Sequence, residues 1–159
     1  MKKTLGLTAL ACASLTAVSA QAVDIQRLSA GKFPIASAVA VPAGYELYFL
    51  SGATGTPSDP KANPGDTKTQ TVAALEHLKS TLKELGLTFA DVVKMNVFLV
   101  ADPKTGKMDF TGLMAGYTQY FGTKDQPNLP ARSAVQVAGL ASPTALVEIE
   151  VEAAKKIAK

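Results

Sequence analysis

The chain has 159 residues, 47% of them hydrophobic and 18% charged, which bounds it to one domain with a real core and excludes a disordered chain. The formal charge is +3, and Lys2 and Lys3 at the N-terminus supply two of the positive charges, so the remainder is close to neutral. No basic stripe with interleaved aromatics is present, which argues against a nucleic-acid partner. Cys12 is the single cysteine, so no disulfide framework, thiolate metal site or thiol nucleophile is expected in the body of the protein.

Residues 1–22 read as a secretory signal. Lys2 and Lys3 form its charged start, Leu5 to Val18 its apolar stretch, and Ala20-Gln21-Ala22 a small-x-small cleavage site. The mature chain is expected to begin at Val23 and to form one domain over residues 23–159. Cys12 leaves with the signal. The expected location is the periplasm or the medium, with no membrane association after cleavage. No later segment is apolar enough to span a bilayer.

Asp24 to Leu28 is a short strand with poor alternation, and Phe33-Pro34 ends that region. Ala36 to Val41 is a second strand, Pro42-Ala43-Gly44 a turn, and Tyr45 to Leu50 a strongly apolar third strand. Together they predict a meander or hairpin. Ser51-Gly52 closes the third strand, and a loop rich in Gly, Pro, Asp, Asn and Ser runs to Asp66. Such a loop lines a site or simply connects elements. Its glycines lack the Gly-Lys-Ser/Thr ending of a phosphate-binding loop.

From Thr67 to Leu85 the period changes. Val72, Leu75, Leu78, Leu82 and Leu85 recur at helical steps, with Asp66 or Thr67 as the cap and Gly86 as the stop. His77, the single histidine, falls off this stripe and has no second histidine to share a metal with, so it reads as a surface residue. Val92 to Val100 alternates cleanly and is the expected central strand. After a turn at Asp102 to Gly106, a second helix is expected over 109–121. One broad face carries Phe110, Leu113, Met114, Tyr117, Tyr120 and Phe121, and the other carries Gly112 and Gly116, small enough for close packing.

The last two strands carry the candidate chemistry. Ser133, Val135 and Val137 share one face, and Arg132, Ala134 and Gln136 the other. In the second strand Val147, Ile149 and Val151 oppose Glu148, Glu150 and Glu152. Paired as a hairpin around 138–145 with paired numbers summing to an even value, these strands put Arg132, Ala134 and Gln136 on one face with Glu148, Glu150 and Glu152, and the sequence leaves that register open. An arginine on a rigid strand holds a carboxylate bidentately, and a glutamate holds or deprotonates a water. The same pattern also fits an ordinary cross-strand salt bridge. The predicted order βββαβαββ gives an α+β fold, a mixed sheet with two helices on one face. The other face then needs cover from a second subunit.

Leu129-Pro130-Ala131-Arg132-Ser133, with Val135, Val137 and Leu140, followed by Val147-Glu148-Ile149-Glu150, resembles the C-terminal signature of the Rid (reactive intermediate deaminase, YjgF) family. Ser51-Gly52, Gln70 with Leu75, Gly86-Leu87, Asp91-Val92-Val93-Lys94 with Val97-Phe98-Leu99, and Tyr117 with Tyr120-Phe121 extend the resemblance across the chain. It implies a chorismate-mutase-like fold, a homotrimer, and sites in clefts between subunits. It further implies hydrolysis of enamines and imines such as 2-aminoacrylate to 2-keto acids and ammonia, with no cofactor, as in 2-iminobutanoate/2-iminopropanoate deaminases. By the resemblance, Arg132 binds the substrate carboxylate, Glu148 positions the attacking water, and Ser51 and Gly52 line the pocket. The sequence departs from the family at Ile35, Met114 and Ala134, where tyrosine, asparagine and cysteine are frequent. The competing reading is a non-catalytic trimer that binds small carboxylates or 2-keto acids.

Overall fold

From Val93 to Val100 buried and half-buried residues alternate, and the sheet is assembled on both sides of this strand. The computed structural model describes residues 24–59 and 61–158, so the expected signal segment, 1–22, lies outside the described residues. The elements in order are β1 (Gln26–Ser29), β2 (Ala36–Ala40), β3 (Tyr45–Thr54), α1 (Thr67–Glu84), a 3₁₀ turn (Phe89–Asp91), β4 (Val92–Asp102), β5 (Lys107–Met108), α2 (Phe110–Tyr117), β6 (Ala131–Val137) and β7 (Val147–Lys156). They form one mixed sheet of order β1-β2-β6-β4-β7-β3, with the short β5 paired to the end of β4. The α+β architecture with two helices on one face is as the sequence predicts. β5 is the one strand it does not predict.

Two expectations about neighbours are corrected. β1 and β2 form an antiparallel hairpin, but β3 leaves them and pairs antiparallel with β7 at the far edge. β6 and β7 are not a hairpin: β4 lies between them, parallel to β6 and antiparallel to β7. The chain explains this. β4 reaches β6 through α2, a crossover that delivers a parallel strand. The following loop then crosses the end of β4, held by the buried Gln70, whose Nε2 donates to the Thr144 carbonyl at 3.0 Å and whose Oε1 accepts from the Leu146 amide at 2.8 Å. β7 therefore starts on the free side of β4.

The core lies between the sheet and the helices. Met95, Val97 and Leu99 of β4 and Val147, Ile149 and Val151 of β7 are buried against Ala74, Leu75, Leu78 and Leu82 of α1 and Leu113 and Tyr117 of α2. Full burial of such a side chain stabilises the fold by roughly 1.5–3 kcal/mol. Asp66 caps α1 by accepting from the Thr69 amide at 2.8 Å, and Gly86, at φ +69°, follows the last turn. Leu85, read as the end of the apolar stripe, is the C-cap and is exposed, because the helix stops one position earlier. α2 crosses α1 through Gly112 and Gly116, which face Thr67 and Thr71 closely, so the glycines serve close packing as expected.

Candidate active site

Pairing register decides which face each candidate residue takes. Met95 is opposite both Arg132 and Val151, so Arg132 projects from the helix-covered face. Phe98 is opposite both Val135 and Glu148, so Glu148 projects from the uncovered face. The register that would put Arg132, Ala134 and Gln136 on one face with Glu148, Glu150 and Glu152 is therefore not the one formed. No ion pair joins them: the ion pairs among the described residues are Lys79–Glu76 and Lys156–Asp24.

Arg132 stands at the start of β6, where Ala131 is paired with Ala36 of β2 on one side and Lys94 of β4 on the other. Its guanidinium lies in an aromatic bed. The carbon centre is 4.3 Å from the Tyr117 ring, 5.7 Å from Phe33 and 5.9 Å from Phe110. Phe33 and Phe110 stack on each other at 6.2 Å. Nη2 donates to the Met114 thioether at 3.2 Å, a weak acceptor, and Nη1 is buried with no partner among the described residues. Burial pulls the Arg132 pKa below the ordinary guanidinium value, and neighbouring Tyr117 opposes the shift. A charged donor without an acceptor in such a bed can donate to an anion of complementary geometry, such as a carboxylate.

Tyr117 fixes this arrangement. It is fully buried, and its hydroxyl donates to the Pro34 carbonyl at 2.9 Å. One ring therefore packs on the guanidinium and also ties down the Phe33–Ile35 turn. Burial pushes its pKa up to about 12, so the hydroxyl keeps its proton and its donor role at neutral pH. The sequence reading assigned the aromatic face of α2 to the core. The available signal was that a buried tyrosine needs a partner for its hydroxyl. Nothing in the sequence pointed to Phe33, which reads only as the residue before a proline.

Glu148 is built differently. In β3, Ser51 and Gly52 together oppose the single Glu150 of β7, a bulge, and the strand continues to Thr54 instead of ending at Ser51-Gly52. The Glu148 side chain lies over Gly52, in the space a Cβ would need. The structure thus brings Ser51, Gly52 and Glu148 together and leaves Arg132 apart from them. The uncovered face also carries Leu47, Phe49 and Val135, all exposed, with Phe49 at 75%. A depression of about 210 Å³ on this face is lined by Phe49, Lys94, Asn96, Glu150 and Glu152, and by neither Arg132 nor Glu148. His77 is exposed and contacts the Thr54 carbonyl through Nδ1 at 3.1 Å, consistent with a surface role.

A mixed α+β sheet with Arg132 at the start of β6 and Glu148 lying over the bulged Gly52 edge defines a recognisable class of protein. The Endoribonuclease L-PSP family pattern matches residues 25–155. A RutC family protein of Haemophilus influenzae is 41% identical over 93 residues, 58% of this chain and 67% of that protein. The putative reactive intermediate deaminase TdcF of Escherichia coli is 33% identical over 107 residues, 67% of this chain and 76% of that protein. The crystal structure of TdcF with bound serine superposes with a TM-score of 0.58 at 30% identity, covering 78% of this chain and 90% of that one. A Rid-family protein from Yersinia pestis shares the fold at a TM-score of 0.65 and 24% identity, over 82% of this chain and 98% of that one. The chain belongs to the Endoribonuclease L-PSP family, the Rid or YjgF family of the sequence resemblance.

Proposed function

We propose that this Rid-family protein hydrolyses 2-imino acids and their enamine tautomers to 2-keto acids and ammonia. The observation that carries the reading is the Arg132 guanidinium, set in aromatic rings with one buried donor nitrogen unpartnered. The substrate carboxylate accepts hydrogen bonds from Arg132, Nη2 exchanging its weak thioether contact for a carboxylate oxygen. Water, held by Glu148, attacks the imine carbon: the C–O bond forms as Glu148 takes a proton, and that proton is returned to nitrogen. The carbinolamine hydroxyl then gives its proton, through Glu148, to the nitrogen as the C–N bond breaks and the C=O bond forms, so ammonia leaves and the ketone remains.

Because Arg132 and Glu148 lie on opposite faces of one sheet, the proposed site joins Arg132 of one subunit to Glu148 of its neighbour. The exposed Leu47, Phe49 and Val135 supply an apolar face for that contact, and the proposed assembly is the family's homotrimer. The N-terminal lysine-led apolar segment supports export, so the imine source would be one available outside the cytoplasm.

The test generates imino acids in place with an amino-acid oxidase and traps the residue with semicarbazide. The purified protein should lower the trapped amount, and Arg132→Ala should not. Equal trapping with and without the protein contradicts the deaminase. The second reading, a carboxylate-binding protein without turnover, draws support from the lack of a second free polar side chain among Arg132's ring and thioether neighbours. Calorimetry with 2-keto acids that shows binding alongside a negative trapping assay selects it.

A further inference from the structure

The groups packed around the Arg132 guanidinium are unusual for what they lack. Phe33, Phe110 and Met114 carry no hydrogen-bonding group stronger than a thioether. The Tyr117 hydroxyl is already committed to the Pro34 carbonyl at 2.9 Å. Ile35, next to Phe33 in the same turn, is apolar and partly buried against the core. Phe33 is 42% exposed while its ring stacks on Phe110 at an interplanar angle of 8°. An exposed aromatic wall thus stands beside the cation, with the Phe33 ring 5.7 Å from the guanidinium carbon.

The turn holding Phe33 is pinned at several points. The Ile35 amide donates to the Phe33 carbonyl at 2.8 Å, the Ala36 amide to the Pro130 carbonyl at 2.9 Å, and Tyr117 to Pro34. Phe33 is therefore positioned by the same ring that packs on Arg132. A ligand clamped by its carboxylate places its next carbons within a few ångströms of the guanidinium, where it meets ring faces and edges. Among the groups of one subunit around Arg132, no polar side chain is free to receive a hydroxyl or a second carboxylate, and the residue proposed from the neighbour, Glu148, is a carboxylate that repels a second one.

We infer that Phe33, stacked on Phe110, is a specificity residue, and that the 2-imino or 2-keto acid bound at Arg132 has a sizeable apolar side chain, branched aliphatic or aromatic, instead of a methyl, hydroxymethyl or carboxylated one. This rests on Arg132 being the carboxylate anchor. Apolar contact area rewards each added methylene, whereas a polar side chain against this wall loses its water without a replacement partner.

The experiment is calorimetric titration of the full mature protein with pyruvate, 4-methyl-2-oxopentanoate, phenylpyruvate and 2-oxoglutarate, repeated with Phe33→Ala and Arg132→Met. Phe33 is in an exposed turn, so its truncation leaves the core intact. The wild type should bind 4-methyl-2-oxopentanoate or phenylpyruvate about tenfold or more tighter than pyruvate, with 2-oxoglutarate weakest. Phe33→Ala should reduce that ratio to within about threefold. Pyruvate or 2-oxoglutarate binding as tightly as the apolar acids overturns the inference, as does Phe33→Ala weakening all four by one common factor. If no keto acid binds, or Arg132→Met binds them as the wild type does, the anchor reading itself fails, an outcome separate from the loss of selectivity.

Discussion

Arg132 and Glu148 stand on opposite faces of one sheet, on strands separated by β4, with Arg132 opposite Met95 and Glu148 opposite Phe98. Adjacent strands are about 4.8 Å apart, so β6 and β7 are about 10 Å apart in the sheet plane, and the two side chains diverge from there. A single subunit does not bring these groups to one small molecule. The proposed chemistry therefore ties activity to assembly.

Gly52 serves the position of Glu148. A Cβ there meets the Glu148 carboxylate, through Oε1 and Cδ, and the Cγ before it, the flexible end of a side chain on the uncovered face. Gly52→Ala is expected to push Glu148 aside at little cost to the fold, within about 0.5 kcal/mol. Imine hydrolysis should fall at least about tenfold, by a change of kcat more than KM, because the substrate anchor is elsewhere. Denaturant unfolding and the trapping assay on the same preparation check this. Unchanged turnover would show that Glu148 does not act from this position.

Tyr117 makes stability sensitive to alkali. Its hydroxyl ionises near 10 in an unfolded chain and at about 12 here, raised by burial and partly offset by Arg132. A raised folded pKa means the folded chain holds the proton more tightly. That contribution is fully present below pH 10 and is lost as pH rises through 12, by about 2–3 kcal/mol. Tyr117→Phe removes the titration and loses the bond to Pro34, costing about 1 kcal/mol at neutral pH. Urea unfolding at pH 8, 10 and 11.5 should show the wild type losing more stability than the variant above pH 10. Parallel losses would contradict the assignment.

Gly116 tests the helix contact. A Cβ there would lie 2.7 Å from the Thr71 side chain and 3.2 Å from the Lys68 carbonyl oxygen. Thr71 cannot easily yield, since its hydroxyl donates to the Thr67 carbonyl at 2.7 Å and it is fully buried. Alanine gains about 1 kcal/mol in helix propensity over glycine, but overpacking at this crossing costs about 1–3 kcal/mol. Gly116→Ala should therefore lower Tm by several degrees, whereas a purely propensity-driven site would raise it.

The sequence carried the period of the longer elements, and with it the faces of β4, β6 and β7 and the caps of α1, while α2 ends at Tyr117, four residues short of the expected 121. It did not carry adjacency. Alternation in β6 and β7 says which residues share a face within each strand, but only the α2 crossover and the Gln70-held loop decide that β4 separates them. The bulge at Ser51-Gly52 was equally hidden: a glycine after an apolar run reads as a strand end, and only the Glu148 side chain over it shows why the strand continues. Arg132 was visible as a candidate anchor, yet its bed was not, because Phe33 and Tyr117 are separated by more than eighty residues and each has an ordinary local explanation.

The most direct measurement is activity in mixed assemblies. Arg132→Ala and Glu148→Gln proteins, each inactive alone in the trapping assay, are dissociated and reassembled together in equal amounts. If a site takes Arg132 from one subunit and Glu148 from the next, random mixing leaves about a quarter of the sites intact, and about a quarter of wild-type activity should return. Mixed assemblies as inactive as the two parents would contradict a site shared between subunits, and with it the account of how these two residues act together.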